Sequence, residues 1–268
     1  MKTVIHNFAR TTACVFASAS LAVAGDIDVL IAEPASGSGP TYVGAVDKSV
    51  ADGDVDASAR VFEAEMIVEE EPAGSGNFVW EAEEPGFFTG NLGTTPVLPA
   101  DASPASDGLT VSVFERDFTV AGATDDLFYW DGTGPISFTP STADFALEPE
   151  GVLGGGATVT GGLYDEHPDF LIETGGAAAT PGIYLASVEA QLEGFDLSDP
   201  VYLVFATLDP GFLGLDPSAT DEEIEEAVEL LLDPAVDWVQ ANVVIPEPTA
   251  ALLAVLAAAG VVAGRQRR

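Results

Sequence analysis

A mainly β fold, an antiparallel β-sandwich with a short C-terminal pair of α-helices, is predicted by three features of the sequence. Apolar and polar residues alternate along Leu109-Thr110-Val111-Ser112-Val113, and Phe62, Ala64, Met66 and Val68 line one face of a second run. Period two is the signature of a half-buried strand. Val201-Tyr202-Leu203-Val204-Phe205-Ala206 is apolar on both faces, as a strand covered from both sides must be. Finally, 28 glycines and 18 prolines fall between such runs as turn signals, the pattern of many short strands folded into a sandwich. No motif recurs at a fixed period, which sets solenoids and propellers aside.

Taken in chain order, residues 1–24 read as a secretory signal. Lys2 and Arg10 form a basic start, Thr12 to Val23 is small and apolar, and Ala22-Val23-Ala24 places a cleavage before Gly25. The only cysteine, Cys14, lies in this segment, so the mature chain has no disulfide, thiol nucleophile or thiolate metal site. Residues 25–245 then form the domain. Strands are expected at 27–32, 41–46, 62–68, 77–80, 109–113, 117–120, 126–130, 135–139, 157–164, 168–173, 182–193 and 201–208. The stretch 70–108, poor in periodicity, reads partly as a long surface loop. Helices are expected over 220–242. Thr220 and Glu223 make a capping box, and Ile224, Ala227, Val228 and Leu231 form one apolar stripe. Asp233-Pro234 then starts a second, shorter helix carrying Trp238 and Val239. The pair is expected to cover one end of the sandwich. Residues 246–268 form a separate segment: Pro246-Glu247-Pro248, the apolar run Thr249 to Gly264, and Arg265, Arg267 and Arg268 around Gln266. A helix of that apolar length spans roughly 24 Å, just short of a bilayer core of about 30 Å. The arginines would keep its C-terminus in the cytoplasm.

Charge narrows the function. Lys and Arg number 8 against 44 Asp and Glu, a net charge of −36. All the acids lie in 25–248 with only Lys48, Arg60 and Arg116, 3 against 44, or −41. Such a surface repels phosphate backbones and excludes nucleic acid as a partner. The 47% of hydrophobic residues excludes a disordered chain. Mutually repelling carboxylates oppose compaction, and salt screens them over about 8 Å at physiological strength. The melting temperature is therefore expected to rise from dilute buffer to added NaCl; an unchanged value would contradict a protein matched to a saline exterior.

The terminal segment resembles the PEP-CTERM sorting signal of Gram-negative bacteria, a tail also described as the C-terminal domain of ice-binding proteins. The likeness lies in the order of tripeptide, apolar helix and arginine cluster from Pro246 to Arg268. It implies export, a transient stay at the inner membrane, recognition by an exosortase-type membrane protease, and release or anchoring at the cell surface. Nothing in the body points to ice. The body resembles uncharacterised exported proteins with the same tail. It shares Arg60-Val61-Phe62, the turn Glu84-Pro85-Gly86-Phe87, and Asp199-Pro200-Val201-Tyr202. Some of those proteins carry two histidines before an Asp-Phe pair, where this chain has His167 ahead of Asp169-Phe170.

Four candidate sites arise from the residues themselves. Asp52, Asp54, Asp56 and Glu63 stand at the first, third, fifth and twelfth positions of a calcium loop, where a hard cation needs oxygens. Position six, however, is Ala57 rather than glycine, so an acidic hairpin turn around Asp52-Gly53 is the competing reading. Asp125, Asp126 and Asp131 flank Leu127-Phe128-Tyr129-Trp130, which suits either a sugar or a buried aromatic strand with acids in its turns. His167 is the only histidine of the mature chain and has Asp165, Glu166 and Asp169 as neighbours; catalytic zinc sites use two or three such ligands. The fourth is a carboxylate pair for glycoside hydrolysis, which no spacing singles out. One histidine, one lysine and no cysteine leave little material for nucleophilic catalysis. The expectation is a non-catalytic protein of the cell surface or exopolysaccharide matrix without a resident cofactor. The alternatives are a calcium- or carbohydrate-binding module and a secreted glycoside hydrolase.

Overall fold

The computed structural model describes residues 27–47, 54–70, 76–89, 98–148, 158–175 and 177–243. The chain forms β1 (Ile27–Pro34), β2 (Tyr42–Asp47), β3 (Asp54–Asp56), β4 (Val61–Glu70), β5 (Phe78–Ala82), β6 (Phe87–Phe88) and β7 (Ala102–Ser103). Then come β8 (Val111–Glu115), β9 (Phe118–Val120), β10 (Ala123–Asp125), β11 (Leu127–Trp130), β12 (Thr139–Pro140) and β13 (Asp144–Glu148). The last strands, β14 (Asp165–Glu166), β15 (Asp169–Glu173), β16 (Ile183–Leu192) and β17 (Val201–Thr207), precede a single helix, α1 (Asp221–Asn242). The mainly β class is as expected from the alternation.

Two larger sheets divide the strands. One runs β14-β6-β1-β2-β3 with β7 on β1, and the other β12-β11-β16-β17-β4-β5-β15-β13 with β8 on β16. β9 and β10 form a separate ribbon. Most pairings are antiparallel, but β17 runs parallel to β4 and β1 parallel to β6. The sheets are thus mixed, which corrects the expected wholly antiparallel arrangement. Parallel neighbours need long crossovers, and everything from β5 to β16 lies between β4 and β17 in the chain. Local patterning cannot announce such a pairing.

β17 is the centre of the molecule. Val201, Leu203 and Phe205 point into a core that also takes Val29 and Ile31 of β1, Val43 of β2 and Phe87 of β6. The two sheets therefore share one apolar interior. Tyr202, Val204 and Ala206, on the opposite face, meet Val228, Leu232, Ala235, Val239 and Val243 of the helical end. Both faces of the strand are buried, as its composition requires.

Several expectations are corrected, and of the strand expected over 135–139 only Thr139 lies in one, β12. The helical pair is one continuous helix of 22 residues with Pro234 inside it. Proline removes one backbone bond, at a cost of about 3 kcal/mol. The side chains of Val228, Leu232, Ala235, Val239 and Val243 are buried. The valines and Leu232 each contribute about 1.5–3 kcal/mol by leaving water, which outweighs the break. The helix also lies on the outer face of the larger sheet, against β17, β4 and β16, rather than at one end. Its start is as expected: Thr220 Oγ1 accepts from the Glu223 N–H, and the Glu223 carboxylate accepts from the Thr220 N–H. The stretch 70–108 supplies β5, β6 and β7, with Phe87 and Phe88 buried. Over 157–164 the described residues form only isolated bridges at Thr158, Thr160 and Leu163.

No helix among the described residues is long and apolar enough to cross a membrane. The predicted signal at 1–24 and the apolar segment of 246–268 lie outside the described residues.

Candidate functional site

Two stretches far apart in the chain meet at one edge of the smaller sheet. β6 pairs with β14, placing Glu166 opposite Phe87 and Asp165 opposite Phe88, and pairs on its other side with β1, placing Phe87 beside Val29. The Val29 N–H donates to the Gly86 carbonyl at 2.8 Å, and the Thr89 N–H donates to the Tyr164 carbonyl at 2.9 Å. These bonds bring the Glu84-Pro85-Gly86 turn, whose Glu84–Pro85 bond is cis, against Asp28 and the segment after β14.

The result is a cluster of Asp28, Asp165 and His167, each offering one ligand atom, all within 4.8 Å of one another. Asp28 is fully buried, whereas the His167 and Asp165 side chains are 31% and 40% exposed. His167 Nδ1 lies 3.3 Å from Glu84 Oε1, and Nε2 lies 3.8 Å from Asp165 Oδ1. Glu84 is itself held, because its Oε2 accepts the Gly86 N–H at 3.1 Å. Gly86 is required by space. A Cβ there would stand 2.7 Å from His167 Cε1 and 2.8 Å from Asp28 Oδ1. A second group, Glu81, Glu83 and Asp169, offers carboxylates only. Burial pushes the nearby Tyr164 hydroxyl up to about 12, helped by the Glu166 charge, so it remains a neutral phenol.

The structure distributes the sequence-derived candidates differently. Of the calcium-loop residues, Asp52 lies outside the described residues and Asp54 is placed only as a position on β3. β2 and β3 pair antiparallel with Asp47 opposite Asp54, and the turn around Asp52-Gly53 lies outside the described residues. Asp56 Oδ1 accepts from the Ser58 N–H and Oγ at 2.8 and 2.7 Å. Glu63 belongs to the other sheet, and its strand neighbours Phe62 and Ala64 point into the core between the sheets. By alternation the Glu63 carboxyl leaves on the far face, under α1, and the structure does not bring it together with Asp56. Burial first, then the charges of Asp233, Glu229 and Glu65, push the Glu63 carboxyl up to about 7.

Around Asp125, Asp126 and Asp131 the aromatics belong to the core. Phe128 is 0% and Trp130 6% exposed, and Trp130 Nε1 donates to the Thr133 carbonyl. Asp131 Oδ1 accepts from the Thr133 N–H and Oγ1, which holds its carboxyl below the usual range. Tyr129 is half-buried, its ring tilted against Tyr184 and its hydroxyl donating to the Pro181 carbonyl. Ala22, Ala24, Gly25, Pro246, Glu247, Pro248, Arg265, Arg267 and Arg268 lie outside the described residues.

Sequence reasoning singled out His167 and the Glu84-Pro85-Gly86-Phe87 turn without joining them, and it passed over Asp28. The available signal was a lone acid in the apolar strand Ile27-Asp28-Val29-Leu30-Ile31. A carboxylate in such a strand needs a specific partner when buried. No protein-family model, curated protein or solved structure matches the chain.

Proposed function

We propose that this is an exported, non-catalytic protein of a Gram-negative cell surface or its exopolysaccharide matrix. Export machinery recognises residues 1–24 and cuts before Gly25. The apolar run after Pro246-Glu247-Pro248 holds the domain at the inner membrane, and an exosortase-type protease then removes or exchanges the tail. The observation that carries this reading is the tail itself: a helix-breaking tripeptide, the run of apolar and small residues from Thr249 to Gly264, and Arg265, Arg267 and Arg268. Support comes from the domain in front of it. Two sheets and a helix bury their own core, and the body carries nearly all the negative charge, which suits a free-standing domain in salt water.

The test is localisation in a host that carries an exosortase. The wild-type protein is expected at the surface or in the medium. A Pro246→Ala/Pro248→Ala variant and an Arg265→Ala/Arg267→Ala/Arg268→Ala variant are expected to stay in the inner-membrane fraction. Equal release of all three proteins would overturn the proposal.

A further inference from the structure

We propose that Asp28, Asp165 and His167 bind one divalent transition-metal ion of the zinc type. This rests on the geometry of the cluster alone and is independent of how the protein is sorted.

The imidazole decides the class of ion. Calcium takes six to eight oxygens, whereas zinc takes imidazole nitrogen and carboxylate oxygen at about 2.0–2.2 Å in a tetrahedral shell. Two ligand atoms on such a shell stand about 3.4 Å apart. His167 Nε2 and Asp165 Oδ1 are separated by 3.8 Å, too long for a hydrogen bond and close to the spacing of two donors around one ion. Asp28 supplies the third ligand atom within the same 4.8 Å. Three protein ligands leave a fourth position for water.

A second feature, outside the ligand set, points the same way. Metal-bound histidines nearly always give their other ring N–H to a carboxylate, carbonyl or water, which fixes the tautomer and the ring. Glu84 Oε1 occupies that place, 3.3 Å from Nδ1. Glu84 is anchored through its other oxygen to the Gly86 N–H, so the turn presents an acceptor to Nδ1 while Nε2 faces Asp165. The missing side chain at Gly86 is what leaves room for both His167 and Asp28 beside the turn. His167 and Asp165 are ligands in this account, and Glu84 is a positioning residue.

Calorimetry on the full-length protein in detergent, titrated with ZnCl₂, is expected to show one ion bound per chain at micromolar or lower Kd. CoCl₂ should give the visible absorption of a tetrahedral nitrogen–oxygen site. His167→Gln and Asp165→Asn should each weaken Zn²⁺ binding at least tenfold; both side chains are part-exposed, so the apo variants should melt like the wild type. Glu84→Gln should weaken it ten- to a hundredfold. CaCl₂ at equal concentration should not displace the zinc. Zinc binding that survives both ligand substitutions would overturn the proposal as diffuse attraction to an acidic surface. So would the absence of stoichiometric binding, or a Co²⁺ spectrum of octahedral, water-like form in the wild-type protein.

Discussion

Phe205→Ala is expected to cost about 3–5 kcal/mol, the range for deleting a fully buried aromatic ring. Phe205 is 0% exposed at the middle of β17. Its ring centroid lies 5.3 Å from that of Phe170 on β15 and 6.2 Å from that of Phe145 on β13. Phe170 in turn stands 6.5 Å from Phe87 on β6, in the other sheet. The row of rings is therefore how the two sheets grip one another. Tilted aromatic pairs add about 0.5–1.5 kcal/mol beyond their buried area, which places the expected loss in the upper part of the range. Leu230→Ala is the control: at 74% exposure it should change stability by no more than about 0.5 kcal/mol. Urea unfolding of the two variants makes the comparison. A loss below about 1 kcal/mol for Phe205→Ala, well short of the range for a buried ring, would mean that the sheets do not share this interior.

Glu63→Gln is expected to stabilise the protein above neutral pH. Glu63 and Glu65 lie on the face of β4 turned toward α1, where Glu225, Glu229 and Asp233 recur at one-turn spacing along the helix. All the charges that bear on Glu63 are acids: Asp233, Glu229 and Glu65. Glu65 is raised as well, by burial and by Glu225 and Glu229. With the Glu63 carboxyl at about 7 in the fold and 4.5 as its ordinary value, the ionised form is disfavoured by folding. Below pH 4.5 the group is protonated in both states and costs nothing. As pH rises toward 7 it ionises in the unfolded chain first, and stability is lost across that window. Above it the full penalty remains. A shift of one unit corresponds to about 1.4 kcal/mol. Because solvent reaches part of the side chain, the discounted penalty is about 2 kcal/mol. Glutamine removes the charge, keeps the shape and offers an N–H₂ to the helix carboxylates. The variant should exceed the wild type by that amount at pH 8 and match it at pH 4. Equal stability at both pH values would show that the helix acids do not press on β4.

How much of this was legible in the sequence follows from what each residue needs around it. β17 was plain, because six apolar residues in a row tolerate no solvent on either side. The cap at Thr220 was plain too, since it is a local exchange of hydrogen bonds. Pro234 misled: the residue alone argues for a break, and only the sheet beneath the helix keeps the stripe from Val228 to Val243 continuous. Glu63 stood out only as the twelfth position of a calcium-loop spacing, yet a helix from the far end of the domain lands on it and on Glu65. Asp28 belongs to the same class. Its meaning depends on a parallel pairing with β6 and on a turn that carries Glu84, neither of which any local pattern contains. The acidic spacing from Asp52 to Glu63, by contrast, was visible along the chain, yet Asp56 and Glu63 stand on different sheets. Spacing fixes where side chains fall along the chain, but strand alternation sent Glu63 to the opposite face.

We propose that the acidic two-sheet domain is delivered by two end segments that it does not keep. The intact mass of the protein recovered from the surface or medium of an exosortase-bearing host tests it most directly. The expected species starts at Gly25 and has lost the apolar run and Arg265, Arg267 and Arg268. A recovered protein that still carries residues 1–24, or the arginine cluster, would contradict it.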